Sequence, residues 1–258
     1  MDAKAAERAA QLILDAWRAH RGLERLPEEC TPRSLEDGYA VQDALERLDG
    51  RPLGGWKIGA TNAEMQKKLG AAQPFPGCIF APTIRKSPVE IATGDFISIG
   101  VEPEFALRLG QDLPPRAALY TRADVAAAVS SVHPACELVE PRLRSASGIA
   151  SIVADNGFNA GLVYAEGTAD WRHLDLAAHR LTLIVSGARV GEGTGAAALG
   201  HPLDSLAWLA NDRSRRGRGL ARGQFISTGT CAGVHWLTPG EKIEADFGSL
   251  GAVRISVS

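Results

Sequence analysis

The seven residues Val101-Glu102-Pro103-Glu104-Phe105-Ala106-Leu107 constrain this chain most, because two carboxylates stand one residue apart inside an otherwise apolar run. Side chains of an extended strand alternate between faces, so Glu102 and Glu104 leave one side while Val101, Phe105 and Leu107 leave the other. Like charges held that close repel, and a buried carboxylate without a counter-charge takes up a proton or destabilises the fold. A shared cation resolves the conflict, and carboxylate oxygens favour Mg²⁺, Mn²⁺ or Ca²⁺ over Zn²⁺. An exposed edge strand resolves it as well, since Pro103 donates nothing to a ladder and charges protect edges. From these seven residues both readings stand.

The chain has 258 residues, enough for one large domain or for a core with a small cap. Lys+Arg 28 against Asp+Glu 30 gives a net charge of -2, so there is no bulk attraction to nucleic acid or to an anionic membrane. Cys30, Cys78, Cys136 and Cys231 are widely spaced, with neither a Cys-x-x-Cys pair nor a disulfide framework. The N-terminus mixes Asp2, Lys4, Glu7 and Arg8 with alanines, unlike a signal peptide, and no apolar run reaches the length of a membrane span. The expectation is a cytoplasmic protein.

Apolar residues at three- and four-residue steps predict a helix over residues 4–20, and Ser34 with Asp37 predicts a capping box opening a second helix over 34–48. A glycine-rich strand over 53–61 carries Lys57 between Trp56 and Ile58. If that face is buried, the ammonium pairs with a carboxylate or shifts towards neutrality; an exposed lysine on an edge strand is the other reading. Asn62 caps a third helix that Gly70 stops. The proline- and glycine-rich stretch 74–88 reads as loop and short strand. It divides a helical N-terminal cap with the lysine-bearing strand (1–73) from a core (74–258).

Strands are predicted over 96–99, 104–109, 162–164, 181–185, 224–227 and 253–257, and helices over 122–132 and 202–210. That mixture argues for an α+β class with a sheet curled upon itself. His201-Pro202 reads as a helix start, His133 as the end of one, and the arginine-rich turn 212–218 as solvated. Cys136-Glu137-Leu138-Val139-Glu140-Pro141-Arg142 adds a third carboxylate that alternation allows on the core face, with Glu140 expected to pair with Arg142. Asp155-Asn156 reads as a strand-to-loop junction. Three carboxylates plus water would hold a hard cation with open positions for a chelating substrate.

The segments Gly55–Thr61, Val101–Ala106, Glu137–Arg142, Val153–Asn156 and Gly195–Pro202, in this order, resemble the 2-keto-4-pentenoate hydratases and 4-oxalocrotonate decarboxylases of the fumarylacetoacetate hydrolase superfamily. The resemblance runs over residues 34–258. It implies a mixed β-roll core, a Mg²⁺ or Mn²⁺ ion held by Glu102, Glu104 and Glu137, a catalytic Lys57 and a homo-oligomer. Ser227–Val234 is similar to the superfamily element in which a threonine holds the substrate carboxylate, which makes Thr230 the candidate for that role. Asp155 and Asn156 are the other candidate substrate-binding residues.

The reaction implied is hydration of a 2-hydroxy-2,4-dienoate to a 4-hydroxy-2-oxo acid in aromatic-compound catabolism, with Lys57 moving the proton. A 2-oxo acid suits the site because negative charge grows on the keto oxygen as the enolate forms, beside the cation. Two departures stand out. Hydratases carry an acid in a Pro-Asp-Tyr/Phe-Gly loop where this chain reads Pro74-Phe75-Pro76-Gly77, and Gly157-Phe158-Asn159 replaces a small, serine-rich wall. Carbon–carbon hydrolysis of acylpyruvates, decarboxylation of a 2-oxo-enedioate, and a silent metal-binding subunit paired with a related hydratase or decarboxylase therefore stay open. His20 and Glu24 are the candidate His-Glu pair for hydrolysis.

Overall fold

The computed structural model describes residues 1–146 and 148–258. Helix α1 (Ala3–Arg18) buries Ala6, Ala9, Ala10, Ile13 and Leu14 along one stripe, and Asp2 caps it by accepting the Ala5 amide. Helix α2 (Leu35–Asp49) opens with the expected capping box: Ser34 Oγ accepts the Asp37 amide and the Asp37 carboxylate accepts the Ser34 amide. Both helices share one apolar cluster with Trp56, Ile58, Cys78 and Phe80, so they cover the outer side of the strands that follow.

Those strands are β1 (Leu53–Gly59) and β2 (Phe75–Phe80), antiparallel, with helix α3 (Ala63–Leu69) between them. Asn62 caps α3 and Gly70 ends it in the left-handed region, as expected. The stretch 74–88 contains short strands, as expected. It holds β2 and β3 (Ile84–Lys86), and β4 (Val89–Ile91) follows directly. Every residue of β2 is buried, so it lacks the polar alternation of a half-exposed strand, and its place at a sheet edge tolerates Pro76. The sheet thus runs across residue 74.

Residues 96–99, expected as a strand, are bends over 96–98 and irregular chain at 99 before β5 (Gly100–Leu109). The Ile97 amide goes instead to Glu140 Oε1 at 2.7 Å. Helix α4 (Arg122–Ala128) stops four residues before its expected end, and the chain passes straight into β6 (Val129–Val139), where Val129 and Val132 pair with β5. Then come α5 (Ile149–Ala154), β7 (Asn159–Tyr164), β8 (Arg180–Val185), β9 (Ala188–Thr194) and α6 (Pro202–Arg215). The chain ends with β10 (Phe225–Ser227), β11 (His235–Trp236), β12 (Lys242–Asp246) and β13 (Ala252–Val257). His201 caps α6 through Nδ1, which accepts the Leu203 amide at 3.0 Å.

Two mixed sheets result. The larger runs β2-β1-β10-β5-β6-β7-β3, with β11 on the end of β5, and the smaller runs β4-β13-β12-β8-β9. In the larger sheet Val101, Phe105, Leu107, Val132, Cys136 and Leu138 belong to the main core, while Ile79, Ala106, Ala135, Leu162 and Phe225 fill the opposite face. That second face carries the carboxylates.

The arginine-rich turn 212–218 is not the solvated patch expected. Asp212 and Arg213 are buried, the Arg213 guanidinium lies 4.0 Å over the Trp56 ring, and Arg218 pairs with Asp43 and Glu46 of α2. It fastens α6 to α2. Among the described residues no helix is long and apolar enough to cross a membrane.

Candidate metal centre

Antiparallel pairing sets Glu102 of β5 directly opposite Glu137 of β6, with Glu104 two residues further along the same face. One oxygen from each of the three carboxylates lies within 4.8 Å of the other two. Glu104 Oε2 accepts the Ser227 hydroxyl at 2.6 Å and the Gly229 amide at 2.7 Å, and Glu137 Oε1 accepts Asn159 Nδ2 at 3.0 Å. The other oxygens, Glu104 Oε1 and Glu137 Oε2, are buried without a hydrogen-bond partner among the described residues. Each anchored carboxylate thus keeps one oxygen free for a ligand.

Lys57 of β1 supplies the counter-charge, its Nζ 3.3 Å from Glu137 Oε1. Three carboxylates and one ammonium leave a formal charge of -2 when all are ionised. Burial, then the charge of Glu137, pushes the Glu102 carboxyl up to about 7, with Lys57 pulling the other way. Burial and the charges of Glu137 and Glu102 hold Glu104 well above the ordinary carboxylate range, against the pull of its Ser227 and Gly229 hydrogen bonds. One divalent cation neutralises this cluster. The all-oxygen donors and the two orphaned oxygens fit a hard ion.

The Lys57 stem runs between two glycines. A Cβ at Gly77, its partner on β2, would stand 3.1 Å from Lys57 Cγ and Cε, and one at Gly157 only 2.7 Å from Cε. Gly157 also needs its left-handed backbone (φ 60°). Asn156 holds this loop in place, because its Oδ1 accepts the Cys78 amide at 2.7 Å and its Nδ2 donates to the Cys78 carbonyl at 2.8 Å. The Asp155 carboxylate accepts Arg142 Nε at 2.6 Å and the backbone amides of Arg142 and Leu143.

Asp155 and Asn156 therefore have their side-chain hydrogen bonds committed to protein at the end of α5, where a strand-to-loop junction was expected. Arg142 takes Asp155 and not Glu140, since its guanidinium also reaches the carbonyls of Asn159 and Asp155. Thr230 does line the cavity beside the cluster, its Oγ1 donating to the Gly233 carbonyl. His20 and Glu24 line no part of that cavity, and Glu24 accepts the Ser145 hydroxyl. His133 lies within β6, its Nδ1 bonded to the Ala165 carbonyl.

The cavity, of about 200 Å³, opens beside Lys57 and Glu102. Its wall continues through Met65, Leu69, Phe75, Val139, Ile152 and Phe158. Sequence reasoning missed the Asn159–Glu137 bond and the two glycines. The pairing of β6 with β7 brings Asn159 to Glu137, the pairing of β1 with β2 brings Gly77 to Lys57, and the Asn156–Cys78 bonds bring the Gly157 loop there.

The profile of the family described as fumarylacetoacetate (FAA) hydrolase C-terminal matches residues 60–258. The chain belongs to the fumarylacetoacetate hydrolase family. It is 33% identical over 255 residues to a TodF product hydratase of Pseudomonas putida, covering 96% of this chain and 94% of that one. It is 32% identical over 256 residues to a 2-keto-4-pentenoate hydratase of Paraburkholderia phymatum, covering 98% and 97%. A solved 4-oxalocrotonate decarboxylase from Pseudomonas putida G7, complexed with magnesium and adipate, superposes with a TM-score of 0.93 at 25% identity over 100% of this chain and 99% of that one.

Proposed function

We propose that this member of the family is a divalent-cation-dependent hydratase that adds water to a 2-hydroxy-2,4-dienoate, giving a 4-hydroxy-2-oxo acid in aromatic-compound catabolism. The observation that carries the reading is the Glu102, Glu104 and Glu137 cluster with its orphaned oxygens beside Lys57 at the polar end of an apolar cavity. The hydratase relatives that match over nearly the whole chain support it.

Glu102, Glu104 and Glu137 would hold Mg²⁺ or Mn²⁺. When bound, the cation supplies positive charge where the 2-oxo acid end of the substrate gains negative charge. Lys57 holds and moves the proton on the substrate carbon, its stem fixed by Gly77 and Gly157 and its ammonium anchored on Glu137. Thr230, at the cavity wall, orients the substrate carboxylate. Phe75 and Phe158 keep bulk water from the diene. A cytoplasmic homo-oligomer with a β-roll core under a helical N-terminal cap belongs to the same reading. The exposed Trp236 and Val234 at the cavity rim offer it an apolar surface to cover.

The test is loss of the ultraviolet absorbance of 2-hydroxypenta-2,4-dienoate with Mg²⁺, with product mass read in parallel. Chelator-sensitive gain of one water supports the hydratase. Turnover confined to acylpyruvates or oxalocrotonate would replace it with the hydrolase or decarboxylase, and no turnover at all with bound metal would leave the partner-subunit reading.

A further inference from the structure

The two ends of the cavity differ in chemistry. Lys57 and Glu102 are its charged lining residues, and both lie at the end beside the metal cluster. The other end merges with an apolar cluster of Ala60, Phe75 and Ile152, against which Met65, Leu69 and Phe158 pack.

Local structure explains this division. Helix α3 turns Met65 and Leu69, four residues apart, towards the cavity, while Glu64, Lys67 and Lys68 are exposed. Ile152 reaches the wall from α5, and Phe75 starts β2 with its ring 5.3 Å from Lys57 Nζ. The polar lining residues just before α3, Thr61 and Asn62, are uncharged, and Asn62 Oδ1 accepts the Met65 amide. Among the described residues no cation lines that end of the cavity.

We propose that the far end selects 2-oxo acids ending in an apolar alkyl group and rejects those ending in a second carboxylate. This rests on the metal-bound 2-oxo acid reading above. With the carboxylate and keto oxygen at the cation, the remainder of the substrate extends towards Met65, Leu69, Ile152 and Phe158. An alkyl tail there leaves water for hydrocarbon. A second carboxylate would lose its hydration with no cation among the described lining residues to replace it. Met65, Leu69, Ile152 and Phe158 are thus the specificity-determining residues.

The experiment is calorimetric binding of 2-oxohexanoate and 2-oxoadipate, saturated acids of equal chain length, to the Mg²⁺-loaded full chain and to Leu69→Lys. The wild type should bind 2-oxohexanoate about 100-fold more tightly, and Leu69→Lys should tighten 2-oxoadipate by about tenfold while weakening 2-oxohexanoate. Equal or tighter binding of 2-oxoadipate by the wild type, with both acids requiring Mg²⁺, overturns the selectivity and leaves the site reading intact. Absence of any Mg²⁺-dependent binding overturns both.

Discussion

Lys57 and Glu137 form an ion pair at 3.3 Å although β10 and β5 lie between their strands. In a flat sheet strands three places apart are about 14 Å apart, further than these two side chains reach together. The large sheet therefore departs from flatness, and this brings the acids and the base into one centre. Residues on four strands meet there: Lys57, Ser227, Glu104 with Glu102, and Glu137.

Lys57→Ala should lower kcat by about 10²- to 10⁴-fold while Mg²⁺ affinity is kept, because the three carboxylates lose only a competing charge. Steady-state kinetics with metal titration check both halves. Undiminished turnover would remove Lys57 from the chemistry.

Gly157→Ala should also lower kcat, since the new Cβ meets Lys57 Cε at 2.7 Å and Phe75 at 2.9 Å. Gly217→Ala is the control: it has a similar φ of 67° with nothing among the described residues within 4 Å of a new Cβ, so it bears the backbone strain alone, of about 1 kcal/mol. Thermal melts should drop for both variants, with kcat falling about tenfold or more only for Gly157→Ala.

The carboxylates make metal binding pH-dependent. The folded apo-protein holds a proton at Glu102 up to about 7, against 4.5 for an ordinary glutamate. Folding is thus favoured below the ordinary value, and that contribution is lost as pH rises through about 7. A cation replaces the proton, so the melting-temperature gain from Mg²⁺ should be larger at about pH 8 than at about pH 5.5, and binding should release protons. Scanning calorimetry with and without chelator measures the difference. A gain independent of pH would mean that these carboxylates are not the ligands.

Arg142→Met should destabilise the fold by about 3–5 kcal/mol, because it strands the buried Asp155 carboxylate at the junction of β6, α5 and β7. Chemical denaturation reads this directly. A change under about 1 kcal/mol would show that the pair is replaceable.

Much of the centre was legible in the sequence because strand alternation is local. Glu102 and Glu104 had to share a face, and Glu137 sat in a run that could pair with them. The glycines flanking Lys57 in its strand marked close approaches: a Cβ at Gly55 would stand 2.1 Å from the Phe225 carbonyl oxygen of β10, and one at Gly59 2.4 Å from the Phe75 ring. The capping box at Ser34 and the cap at Asn62 were equally local.

Other features depended on tertiary partners. Strand β2 hid behind Pro76 and Gly77 because an edge position and a neighbouring lysine stem, not propensity, make those residues acceptable there. The alanines before Val129 continue a helical pattern until pairing with β5 extends the chain. Asp155 looked like a site residue from its motif, and only the fold reveals Arg142 as its partner. Arg213 appeared to be one more surface arginine, whereas Trp56 gives it a buried aromatic face.

The central claim is that Glu102, Glu104 and Glu137 hold a divalent cation beside Lys57. Anomalous scattering from crystals grown with Mn²⁺ and oxalate tests it most directly. The account predicts one strong peak among the three carboxylates, with oxalate completing the coordination on the Lys57 side. Saturating Mn²⁺ with no peak there, or a peak elsewhere in the chain, would contradict it.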